Sequence, residues 1–262
     1  MIDFLKESTF AVNEVIGKAW TVTKRNYFSI ATLCFLMFIT SNASGLMAFF
    51  LKDVSKGLSI LMAFIFAMFY FTINLSLFRY IFHLLDDEEH DVSIVSTIPT
   101  RRHIIRFLVA TLYFMLCIVG VYTLVILLAF PFIYTGIRME VITNVAISVG
   151  IVAIFITWIR ISFFPFFILD KNLPPFASIK YSLATTRGNF TKILLLLLIL
   201  LSFHLLYLFF SYIHWPFVAF FVNILSSFIV VPLSSVALTV AYRKMMSEYQ
   251  DNGEPDIIHN IV

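Results

Sequence analysis

Six long apolar stretches alternate with short polar ones along the chain. They run from Tyr27 to Phe50, Leu58 to Leu85, Ile104 to Tyr134, Val141 to Leu169, Phe190 to Tyr212 and Phe217 to Tyr242. Each reaches the ~20 residues that an α-helix needs to cross a bilayer. The pattern predicts an all-α, polytopic membrane protein with six transmembrane helices. The third stretch is longer than the hydrocarbon requires, so it tilts or protrudes, with Pro131 near its outer end. Pro165 near the end of the fourth stretch predicts a kink or an end to regular hydrogen bonding there.

The segments between these stretches have a pattern of their own. Over residues 3–25, Leu5, Val12, Ile16, Ala19 and Thr23 fall near one helical face, and Glu7, Glu14, Lys18 and Arg25 fall on the other. That predicts an amphipathic helix at the membrane interface, with Trp20 at headgroup level, or else a helix packed on another protein surface. Residues 91–103 offer Val92, Val95 and Ile98 as apolar positions and are interrupted by Pro99. The third segment starts at Pro174-Pro175, suited to a helix start. It carries Phe176, Ile179 and Leu183 at helical spacing and reaches Gly188, where a left-handed conformation would close the helix.

Two marks recur. The odd spans are entered through Thr23-Lys24-Arg25-Asn26-Tyr27, Thr100-Arg101-Arg102-His103-Ile104 and Thr186-Arg187-Gly188-Asn189-Phe190. The even spans leave through Phe78-Arg79-Tyr80, Ile159-Arg160-Ile161 and Tyr242-Arg243-Lys244. Both marks return in the same order at intervals of about 80 residues, which predicts three copies of one unit, an interfacial helix followed by a transmembrane hairpin. On this reading residues 1–245 form one six-span domain with repeats near 1–86, 87–170 and 171–245. Residues 246–262 are a polar, partly disordered tail.

Composition agrees with the class: 61% of residues are hydrophobic and 13% charged. A soluble domain carries about 25% charged residues. A net charge of +3 is too small to suggest a nucleic-acid partner. Its distribution says more. Lys52, Lys56 and Arg138 stand in the outer loops, and the remaining lysines and arginines fall on the side of the termini. That bias predicts cytoplasmic termini. Lys24, Arg25, Arg79, Arg101, Arg102, Arg160, Arg187 and Arg243 then form a collar against anionic headgroups of the inner leaflet, where an arginine snorkels to phosphate. The first residues, Met1 to Glu7, lack a basic region followed by an apolar core, so no cleaved signal is expected. Cys34 and Cys117 both lie inside apolar spans and read as small hydrophobes.

The passage around Arg160, the aromatic run Phe163 to Phe167, Asp170, Ala177-Ser178, Ser182 and Thr186-Arg187-Gly188-Asn189-Phe190 resembles six-span bacterial inner-membrane proteins grouped with YciC and with the membrane domain of glycerophosphoryl diester phosphodiesterases. Leu183 departs from that pattern, which often has Trp there. The resemblance covers about 30 residues closely and the rest by hydropathy. It implies a six-span domain of the bacterial cytoplasmic membrane. It does not imply phosphodiesterase activity, which belongs to a separate soluble barrel.

Candidate chemistry is sparse. On a helix His83, Asp86 or Asp87, and His90 share a face and have metal-ligand character. The same run also reads as a solvated acidic exit from the membrane. The expectation is no metal and no other cofactor. An enzyme would have to draw on His83, His90, His103, Asp86 and Asp87. Asn42, Asn74, Asn144, His204 and Asn223 are candidates for a polar path, as in a transporter or lipid-translocating protein. No carboxylate lies well inside a span, where proton-coupled pumps usually keep one. Three hairpins also differ from the paired inverted repeats of secondary transporters. The expectation is therefore a non-catalytic scaffold, accessory subunit or lipid-interacting protein, with lipids and a protein partner or further copies of itself as its company.

Overall fold

The computed structural model describes residues 10–51, 54–86 and 93–251. Among them the structure is helical throughout, and six helical segments are long and apolar enough to cross a membrane. Large apolar side chains such as Phe28, Phe50, Phe64, Leu112, Leu127, Ile151, Leu205 and Phe217 stand exposed along those segments. Water would not tolerate so much apolar surface, whereas lipid requires it. The chain is a multi-pass membrane protein.

The helices are α1 (Val12–Arg25), α2 (Tyr27–Leu51), α3 (Lys56–Asp86), α4 (Arg101–Ala129), α5 (Met139–Ile161), α6 (Phe164–Asp170), α7 (Pro175–Arg187), α8 (Phe190–Tyr212), α9 (Pro216–Leu225) and α10 (Val231–Asp251). Short 3-10 turns cover Ile94–Thr97 and Phe130–Thr135, and a π turn covers Ser226–Val230 between α9 and α10. Two compact units are present. Among the described residues one is the continuous stretch Ile105–Ile193, and the other combines 10–104 with 194–251.

In the continuous unit, proline decides where helices break. Pro165 has no N–H to give to the carbonyl of Ile161, so α5 ends there and α6 starts at Phe164 with Pro165 in its first turn. Pro175 opens α7 in the same way. Lys171 to Pro174 turn the chain, with Asn172 in the left-handed region at φ 52°. The Arg106 guanidinium holds this turn by donating to the Asn172 carbonyl and side-chain oxygen. Aromatic rings fill the core. Phe107 and Phe164 stack at 5.6 Å, Phe163 meets Phe166 at 5.6 Å, and Phe167 meets Tyr181 at 5.8 Å. Gly188 does not take the left-handed conformation expected of it. Its φ is −79°, and the chain turns from α7 into α8 without a reversal of hand. Asn189 takes over instead: its backbone carbonyl accepts from the N–H groups of Lys192 and Ile193, and its amide donates to the Thr185 carbonyl. At the other end of α4 and α5, Gly136 at φ 74° permits the tight turn between them. A wholly apolar groove of about 270 Å³ opens between these helices beside Leu128, Phe132 and Val145.

In the discontinuous unit, α2 and α3 form a closely packed antiparallel hairpin, α1 lies against α10, and α10 lies against α3. Val15, Ala19 and Thr23 are the buried stripe of α1, four residues apart on one face. Of the face expected at the interface, Ala19 and Thr23 are buried, Val12 and Ile16 are half-buried and Leu5 lies outside the described residues, while Trp20 is 51% exposed. Ala237 and Ala241 of α10 are fully buried, and residues this small let helix backbones approach closely. Phe82 and Tyr242 meet edge to face at 5.6 Å.

The three segments read as interfacial helices are unlike one another. The first and third are α-helices, α1 and α7. The described part of the second has only the 3-10 turn. Pro99 explains this, because it forces Ile98 into an extended conformation, φ −58° and ψ 125°, and the helix cannot form through it. Span four is two helices, and span six is two helices joined by a π turn. The last helix runs on past Tyr242 to Asp251.

Candidate functional site

The cations that mark the ends of the spans fall into two sets. Arg79, Arg160 and Arg243 are held by the protein itself. Arg79 donates to the Ile98 carbonyl at 3.1 Å, beside a buried Ser76–Thr97 contact of 3.1 Å. It thereby satisfies the extended backbone that Pro99 creates. Arg243 pairs with Asp86 and lies over the Phe82 ring, 4.7 Å from its centroid. Lys244 next to it pairs with Glu14 of α1. The second set, Lys24, Arg25, Arg101, Arg102 and Arg187, is exposed.

Arg160 sits at the most elaborate of these ends. Its guanidinium donates to the Leu183 carbonyl at 3.0 Å, while its Nε is buried with no partner among the described residues. Its own carbonyl accepts from Ser182 Oγ at 2.8 Å and from Thr186 Oγ1 at 3.1 Å. Ser182 Oγ in turn accepts from the Phe163 N–H at 3.2 Å. The break at Ser162-Phe163 leaves backbone groups without helical partners, and hydroxyls on the buried face of α7 satisfy them. Ser178, Ser182, Thr185 and Thr186 are all buried. Arg160, Phe163, Ser182 and Thr186 therefore fasten α5 and α6 to α7.

The candidate metal residues lie only partly within the described residues. His83 and Asp86 are exposed at the end of α3, and Asp86 is engaged by Arg243. Asp87 and His90 lie outside the described residues. Among the described residues no three side chains of His, Cys, Asp or Glu converge.

The polar-path residues are spread over several helices. Asn42 donates to the Phe38 carbonyl of its own helix at 2.8 Å. Asn74 is half-buried in α3, Asn144 is exposed in the second turn of α5, and His204 is exposed beside Tyr207. Asn223 lines a hollow formed between α2 and the α9–α10 junction. That junction has a cause in the sequence. Pro232 offers no N–H to the Phe228 carbonyl four residues back, and the Val231 N–H reaches five residues back to Ser226. The Tyr27 hydroxyl donates to the freed Phe228 carbonyl at 3.0 Å. The sequence pattern alone missed Tyr27 as a partner of this junction, for which a proline inside an apolar span was the available signal. Arg106 was missed as well, although a cation one turn into a span, facing a polar turn, was visible.

Compared with known protein families, with curated proteins and with solved structures, the chain matches none.

Proposed function

We propose that this chain is a non-catalytic protein of the bacterial cytoplasmic membrane. Both termini lie in the cytoplasm, and the chain acts as a scaffold or accessory subunit that gathers anionic lipid at the inner leaflet. The exposure of Lys24, Arg101, Arg102 and Arg187 at the entries to the odd spans carries the reading. Counting crossings puts all four on the side of the termini, which the bias of lysine and arginine makes cytoplasmic. Each such cation contributes roughly 1 kcal/mol of attraction to an anionic surface. The resemblance of residues 160–190 to six-span bacterial proteins supports the choice of membrane.

Native mass spectrometry of the protein released gently from its membrane tests this. The wild type is expected to retain anionic phospholipid in preference to zwitterionic lipid. A variant with Lys24, Arg101, Arg102 and Arg187 all changed to Gln is expected to lose the preference. Equal retention by the two proteins would sink the proposal.

A further inference from the structure

Many hydroxyls in the spans close on a carbonyl of their own helix, as Thr32, Thr72, Thr111, Thr157 and Ser235 do. Asn223 and Ser227 are among the polar side chains that do not. Neither side chain forms a hydrogen bond among the described residues, and they sit one helical turn apart on the same face. Asn223 is exposed and Ser227 half-buried, so both can reach a molecule that enters from the lipid, and a polar side chain without a partner at membrane depth favours a molecule that accepts hydrogen bonds.

What meets them has a definite size. The hollow they line measures about 150 Å³. An engineered protein cavity of that volume accepts one benzene. Cys34, Phe35 and Phe38 of α2 form the opposite wall, Phe220 lies one turn before Asn223, and the Phe35 and Phe228 rings stack at 6.4 Å. No charged residue lines it. Its depth is also defined. Ala31 and Phe38 lie roughly 6 and 16 Å along α2 from Tyr27 at a rise of 1.5 Å per residue. The hollow thus occupies the hydrocarbon of one leaflet, below the level of charged headgroups.

We propose that this hollow binds the head of an uncharged, lipid-soluble compound, a single six-membered ring bearing carbonyl groups on an apolar tail, which is the chemistry of a membrane quinone. The Asn223 amide and the Ser227 hydroxyl donate to a ring carbonyl, the phenylalanine rings pack its faces, and the tail runs into lipid. The site is independent of the headgroup-binding cations and shares no residue with them.

The test uses the full chain in lipid nanodiscs with decylbenzoquinone as probe and decylbenzene, which lacks the carbonyls, as comparison. Wild-type protein is expected to retain the quinone above empty nanodiscs and at least about tenfold better than decylbenzene, the worth of roughly one hydrogen bond. Asn223→Leu and Ser227→Ala are each expected to weaken retention by about tenfold, and Asn223→Gln to restore part of it, with helix content unchanged. Retention no greater than in empty nanodiscs would mean that water alone fills the hollow. Equal retention of both probes would mean apolar partition. Either result overturns the proposal, and neither needs a variant that folds.

Discussion

One hydroxyl group bonds to both sides of the break between α5 and α6. Ser182 Oγ accepts from the Phe163 N–H and donates to the Arg160 carbonyl, and the site is fully buried. Ser182→Ala removes both bonds and leaves a buried N–H with no partner. The expected loss is about 1–3 kcal/mol of stability, measured as earlier thermal unfolding in detergent. Thr186→Val should cost less, because Ser182 still reaches the Arg160 carbonyl. An equal effect from both changes would show that the Ser182 bonds contribute nothing special. The arginines belong to the same scale. Sequence alone marks Arg79, Arg160 and Arg243 as cations at span ends, and that much was legible. Their partners were not, since Ile98, Leu183 and Asp86 lie 19, 23 and 157 residues away along the chain. A cation that can snorkel and a cation that caps a carbonyl have the same local sequence.

At the scale of elements, the hydropathy pattern placed the spans well. The fifth runs from Phe190 to Tyr212 as read, because nothing in it competes with helix. Proline positions carried further, with Pro165 and Pro175 each opening a helix. What escaped the pattern was decided by proline acting at a distance of a few residues. Pro99 reduced a helix to a 3-10 turn, and Pro232 converted a regular turn into a π turn. The second case yields a coupled expectation. Pro232→Ala restores the N–H that can serve the Phe228 carbonyl. Tyr27→Phe should therefore destabilise the native protein but matter little in the Pro232→Ala background. A double-mutant cycle should return a coupling of at least about 0.5 kcal/mol. Strict additivity would mean that Tyr27 does not stand in for the missing backbone bond.

For the whole molecule, composition and spacing made the class legible, because no soluble fold presents six runs of this length. The sidedness proposed from the same counting is open to direct measurement. Thr135→Cys, in the turn after α4, should react with a membrane-impermeant maleimide in intact cells, whereas Ser96→Cys should react only after the membrane is opened. Cys34 is buried and Cys117 lies in the middle of α4, so neither native thiol should contribute. The opposite labelling pattern would reverse the orientation. How the helices group was not legible. Side chains are buried mainly where each unit's helices meet at their termini-side ends, while the lipid-facing lengths stay exposed. Apolar runs look alike in sequence whether their neighbour is a helix or an acyl chain.

The division into one continuous and one discontinuous unit also sets an order of synthesis. The bonds that fasten α7 to the end of α5 join residues 19 to 26 positions apart, so they can form as soon as α7 leaves the ribosome. The other unit has no such opportunity. Tyr27 waits for Phe228 and Glu14 waits for Lys244, 201 and 230 residues later. Until the last span is made, the Val15–Ala19 face of α1 has no α10 to cover it. A nascent chain halted before α10 would thus carry one finished unit and one unfinished unit, with the first-made helix the last to find its partner.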